Sequence, residues 1–182
     1  MRTSSTGVIA SLSVVLFGVL AGCGGDPEPA PEMGTIRTAP TEASEPELAE
    51  VAPTSDADCP YLSADEVEAL NGEKVADVRI DDGVDPAACF FYSTDGAVQL
   101  TTTVHTLASE ERARELVDET APVDVTDRSD VEGGWTGGRS GGPGGALVVV
   151  ARGKQVLAVQ STQEQSVKTQ RIAELVAPRI AD

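Results

Sequence analysis

The chain has 182 residues, with 13 basic against 30 acidic side chains, a formal net charge of −17 and only 3% aromatic residues. So large an acidic excess argues against binding nucleic acid or an anionic bilayer surface through the polypeptide itself. The length allows one domain with a real core plus a tail, and the shortage of rings means that the core must be built mainly from Val, Leu, Ile and Ala.

Near the N-terminus, Gly7 to Leu20 form an apolar run. It is too short for a membrane span, which needs about 20 apolar residues, and it suits the hydrophobic part of a secretory leader, about 7–15 residues. Arg2 supplies a positive start, and Leu20-Ala21-Gly22-Cys23 closes the run with small residues before a cysteine. The segment resembles a bacterial lipoprotein signal. That resemblance implies cleavage before Cys23, a diacylglyceryl group in thioether linkage to its sulfur, and often an acyl chain on the new amine. A thiolate is the nucleophile that accepts such a lipid. Two or more acyl chains hold a protein on a bilayer stably, where one does so only marginally. The expected location is the extracytoplasmic face of the cell membrane, reached through the lipid on Cys23.

Residues 24–58 carry Pro27, Pro29, Pro31, Pro40, Pro46 and Pro53, and nine acids against one base, Arg37. Such a segment buries too little apolar surface to order itself. Prolines and like charges extend it, and even a relaxed coil of this length spans roughly 30–35 Å. The expected organisation is a leader over 1–22, a lipidated cysteine with a disordered acidic tether over 23–58, and a globular domain over 59–182.

Within that domain, Leu62-Ser63-Ala64-Asp65-Glu66-Val67 predicts a helix start. Ser63 and Glu66 form a capping box, and Leu62 and Val67 form a hydrophobic staple. Asn71-Gly72 ends the helix, with Gly suited to a left-handed cap. Ala76, Val78 and Ile80 alternate with Asp77 and Arg79, the period of a strand with one buried face. Ala88 to Ser93 predicts a second strand. Thr94-Asp95-Gly96 predicts a hairpin turn, and Val98, Leu100, Thr102 and Val104 predict a third strand. Ser109-Glu110-Glu111 opens a second helix with Ala113, Leu116 and Val117 on one face, and Ala121-Pro122 closes it. A short strand is expected at Val123–Val125, followed by a polar loop. Gly133 to Gly145 reads as a glycine-rich loop. Ala146–Ala151 then reads as a strand buried on both faces, joined through Arg152-Gly153-Lys154 to a partner over Gln155–Ser161. A last helix is expected from about Glu164 or Ser166 to Ala177, with Val167, Ile172, Leu175 and Val176 inward. The predicted fold class is α+β: a single domain with a mainly antiparallel sheet of four to six strands and about three helices, largely on one face.

The residues that bear chemistry are few. Cys23 is consumed by lipid. Cys59 and Cys89 remain, an even pair in an oxidising compartment, where a disulfide is the default and two free thiols the alternative. Their spacing excludes a Cys-x-x-Cys metal or redox site. His105 is the only histidine; it falls in phase with Gln99, Thr101 and Thr103 and is expected to face solvent. No Gly-x-Ser-x-Gly elbow accompanies it. Asp77, Asp81, Asp82 and Asp85 lack the spacing and closing Glu of a calcium loop. The glycine-rich segment lacks the Gly-Lys-Ser/Thr ending of a phosphate loop. A mobile loop presenting Trp135 and Arg139 to a partner is the one contact expected there, since these residue types dominate binding hot spots; the competing reading folds Trp135 back onto the sheet. No catalytic residue, metal or cofactor is expected.

Six short motifs together carry a resemblance: Cys59-Pro60-Tyr61-Leu62, Asn71-Gly72, Asp85-Pro86 leading to Cys89-Phe90-Phe91, Ala121-Pro122, Gly133-Gly134-Trp135 and Gln165-Ser166-Val167-Lys168. The domain is similar, over most of residues 59–180, to an actinobacterial lipoprotein family of unknown function. The resemblance implies no activity and supports pairing Cys59 with Cys89. The functional expectation is a non-catalytic, lipid-anchored envelope protein that binds another envelope protein or component. The alternative is a carrier of an apolar ligand, and a cell-envelope hydrolase ranks third.

Overall fold

A computed structural model describes residues 50–180. The expected leader, Cys23 and the expected tether up to residue 49 lie outside these residues.

The elements are α1 (Ala64–Asn71), β1 (Asp77–Asp81), β2 (Ala88–Tyr92), β3 (Val98–Thr106), α2 (Glu110–Thr120), β4 (Asp127–Val131), β5 (Trp135–Gly142), β6 (Gly145–Arg152), β7 (Gln155–Ser161) and α3 (Ser166–Val176), with a short 3-10 turn over Ala177–Arg179. All seven strands join one sheet in the order β1-β2-β3-β7-β6-β5-β4. Every neighbouring pair is antiparallel. The α+β class holds, but the sheet has seven strands rather than four to six.

The strands missed in the sequence are β4 and β5. Far from being a loop, the glycine-rich segment is a strand paired along its length with β6, from Thr136↔Ala151 to Gly142↔Gly145, and with β4 on its other side. A ladder is made by backbone groups and needs no side chains. The glycines are required by close approach. A Cβ on Gly138 would stand 2.9 Å from Ala121 Cβ and 2.8 Å from Thr126 Oγ1, and one on Gly141 would stand 2.3 Å from the Glu164 carbonyl oxygen. The chain leaving α2 and the chain entering α3 thus both lie against the β5 backbone. Val123–Val125, expected as a strand, is instead an exposed turn after α2, with Val123 79% and Val125 77% accessible.

The helices do not share one face. Val148 and Val150 of β6 enter a core cluster with Val67 of α1 and Ile172, Ala173 and Val176 of α3. Val149 and Ala151, which point the other way, pack with Ala113 and Val117 of α2. The unbroken apolar run of β6 demands this arrangement, because a strand without alternation must be covered on both sides. In α3 the buried residues are Thr169, Ile172, Ala173 and Val176, while Val167, expected inward, is half exposed.

Helix α1 begins as expected. Ser63 Oγ accepts from the Glu66 amide at 3.3 Å, Glu66 Oε2 accepts from the Ser63 amide at 2.9 Å, and Gly72 caps the other end at φ 77°. Residues ahead of the expected boundary at Cys59 are tied to the sheet. The amides of Thr54 and Ser55 donate to the Ile80 carbonyl at 2.8 and 3.1 Å, and the Ile80 amide returns a bond to the Ser55 carbonyl at 3.0 Å. Asp81 accepts from the Ala52 amide, and Asp82 accepts from the hydroxyls of Thr54 and Ser55. These ties are polar, so hydrophobic patterning does not register them, and they cover the edge that β1 would otherwise expose.

Candidate functional site

Two pins fix the connection between β1 and β2. The Cys59–Cys89 disulfide, with its Cα atoms 5.6 Å apart, fastens the chain before α1 to β2. Two residues on from Cys59, the Tyr61 hydroxyl donates to the Ala87 carbonyl at 2.8 Å and lies 3.0 Å from Thr102 Oγ1. Tyr61 is buried, and burial pushes its phenol up to about 12, although the Thr102 hydrogen bond pulls the other way. Immediately before Ala87 the chain passes through Asp85-Pro86, whose peptide bond is cis.

This connection meets the β6–β7 turn at the end of β3. Asp85 and Pro86 on one segment, Arg152, Gly153, Lys154 and Gln155 on the second, and Thr106 on the third line a surface cleft of about 560 Å³. Arg152 is positioned from below: its guanidinium carbon lies 4.7 Å over the Trp135 ring, and its Nη2 donates to Gln155 Oε1 at 3.2 Å. Lys154 and Asp85 are exposed, and neither has an ion-pair partner among the described residues.

The residues expected to meet a partner through a mobile loop do other work. Trp135 is 1% exposed and belongs to the main core cluster, so it is folded back onto the sheet. Arg139 lies within β5, where its Nη1 donates to Gln170 Oε1 on α3 at 2.6 Å. His105, expected to face solvent, is half-buried opposite Val156 on the α2 side of the sheet, and burial lowers its pKa below the ordinary 6.5. The four clustered acids are divided among separate tasks. Asp77 pairs with Arg79; Asp81 is buried and accepts from the amides of Ala52 and Gly83. The hydroxyls of Ser55 and Thr54 hold the Asp82 carboxyl below its usual range. Asp85 alone of the four lines the cleft. Among the described residues no group of three or more His, Cys, Asp or Glu is placed to hold a metal ion, and no helix is long and apolar enough to cross a membrane.

Sequence reasoning missed the cleft residues Thr106, Arg152, Lys154 and Gln155, and took Asp85 for a turn acid. One signal was present: two cations within three residues of a turn, in a chain with so few.

A family described as a domain of unknown function, DUF2020, matches residues 40–181. The chain belongs to this family. No curated protein matches it. The match begins ahead of the first described residue and takes in every strand and helix, so the segment along β1 is part of the DUF2020 domain rather than of a tether. Within the domain, motifs that carry no chemistry meet in space. Lys168 Nζ, from the Gln165–Lys168 motif, donates to the Asn71 carbonyl at 2.6 Å and to Gln163 Oε1 at 3.1 Å. A cation thereby sits on the carbonyl end of α1, where the helix dipole favours it. The Cys59–Leu62 and Asp85–Phe91 motifs meet in the pins, and Gly133-Gly134-Trp135 supplies the ring under Arg152.

Proposed function

We propose that this DUF2020 protein is a non-catalytic binding module of the cell envelope, held on the extracytoplasmic face of the cell membrane by lipid on Cys23. The observation that carries the reading is the cleft at the sheet's end. Its lining comes from three separate segments and includes Lys154 and Asp85, which form no ion pair with each other. Opposite charges on Lys154 and Asp85 that do not pair with each other suit recognition, because each can meet a ligand's counter-charge. The Cys59–Cys89 bridge favours an oxidising compartment, in line with export. The only histidine sits opposite Val156 and is not among the residues lining this cleft.

The anchor is tested by expressing the full chain in a bacterium fed a labelled fatty acid. The expected result is label on the wild-type protein, partition into detergent, and loss of both in Cys23→Ser. Recovery of unlabelled wild-type protein from the cytosol, with Cys59 and Cys89 reduced, would refute it.

A further inference from the structure

We infer that the cleft binds a small zwitterion, an amino acid or the free ends of a short peptide, with its carboxylate on Lys154 beside Arg152 and its ammonium on Asp85. This rests on the binding-module reading and gives it a ligand class.

The argument begins with charge. Lys154 and Asp85 line one cleft and form no ion pair with each other. The cleft therefore offers two opposite poles rather than one neutral ion pair. A charged group meets its counter-charge best through a charge-assisted hydrogen bond, roughly twice as strong as a neutral one. Arg152 lines the cleft beside Lys154, where it stacks over the Trp135 ring and donates to Gln155. Pro86, Gly153, Thr106 and Gln155 complete the lining.

The whole-molecule field then selects among ligands. At a net charge of −17, the protein repels any simple anion, a phosphate or a dicarboxylate included. A zwitterion carries no net charge and escapes that repulsion, while its two ends still meet local counter-charges. The volume, about 560 Å³, lies in the range of small-molecule sites and suits a ligand of one to three residues.

The test uses the full-length chain in detergent and alanyl-alanine in its L,L and D,D forms, beside the N-acetyl and C-terminal amide derivatives. Binding is followed through amide resonances. The free dipeptide, in either form, should shift Ala87, Thr106, Gly153, Lys154 and Gln155. Each blocked derivative should bind about tenfold more weakly, the loss expected for one charge-assisted contact. Lys154→Met should abolish the preference for a free carboxylate and leave that for a free ammonium, and Asp85→Asn should do the reverse. Lys154→Arg and Asp85→Glu, which keep the charges, should retain binding. The inference is overturned if the free dipeptides give no shifts at about 10 mM, if shifts fall elsewhere, if blocked and free forms bind alike, or if the two charge-removing variants bind as the parent does. Envelope capture separates this failure from that of the anchored-module reading. If the parent and the Asp85→Asn/Lys154→Met double variant retain the same envelope component, the module stands and the zwitterion site falls.

Discussion

Breaking the bridge between Cys59 and Cys89 tests whether the cleft wall is pinned by the cross-link itself. The bridge closes a loop with a sequence separation of 30. In the chain-entropy description, a loop of that size stabilises the fold by about 3–4 kcal/mol, because the unfolded chain is constrained. For a folded unit of about 130 residues the unfolding entropy is about 0.27 kcal/mol/K near the transition, so the melting temperature should fall by about 11–15 °C on reduction. Calorimetry of the full chain, oxidised and then reduced with thiols counted, measures the drop. Reduction keeps both sulfur atoms in place, so no cavity contributes. The Cys59→Ala/Cys89→Ala variant should fall somewhat further, because Cys89 is wholly buried and its loss leaves a void. A reduced protein melting within about 3 °C of the oxidised one would refute the entropic account and show that the Tyr61 contact and the β2 ladder hold the wall alone.

Three further outcomes are expected. The His105 imidazole should titrate below 6.5 by NMR, because burial favours its neutral form; since the unfolded chain takes up the proton first, the corresponding stability is present above about pH 6.5 and declines as pH falls below it, and a midpoint at or above 6.5 would contradict the half-buried placement. Tyr61→Phe should cost about 1–2 kcal/mol in urea denaturation, because the Ala87 carbonyl and the Thr102 hydroxyl lose their partner, and an unchanged midpoint would show that these bonds are replaced. Gly138→Ala should cost about 2 kcal/mol or more, since its methyl would press on Ala121 at 2.9 Å, and a neutral effect would mean that the chain after α2 yields easily.

What could be read in the sequence was what is settled locally. The capping box of Ser63 and Glu66, the stop at Gly72 and the hairpin at Asp95-Gly96 are each decided by neighbours a few residues apart, and each was found at its expected place. The seven-strand count was not, because β4 and β5 have no apolar alternation. Asp-Arg-Ser-Asp-Val and a glycine-rich run become strands only because β6 offers them an edge to propagate from. Trp135 was ambiguous for the same reason. One ring among glycines gives no periodicity, and only the apolar cluster around Val131 and Val150 decides that it turns inward. The segment 52–56 reads as tether because its ties to β1 run through backbone, hydroxyls and carboxylates. The cleft was the least visible feature, since its lining joins residues 85–86, 106 and 152–155, which only the sheet order brings together.

The scarce aromatic residues explain why the cleft lies where it does. The chain has three Phe, two Tyr and one Trp. The single Trp and one Tyr both have their rings in the core cluster and a polar contact at or beside the cleft: Arg152, which lines it, over the indole face, and the carbonyl of Ala87, next to the lining residue Pro86, on the phenol. Val and Leu can fill an interior, but they cannot seat a guanidinium or hold a loop carbonyl. Wherever such rings are placed, the rigidity of the packed interior passes to the surface. Here it passes to the two segments that carry Asp85 and Lys154. In the proposed site, a ligand that bridges the two charges meets segments already placed by the packed interior. A surface ion pair free to collapse would contribute about 0–1 kcal/mol to stability and offer nothing to a ligand. Keeping the two apart gives up that small stabilisation and leaves both charges available for recognition.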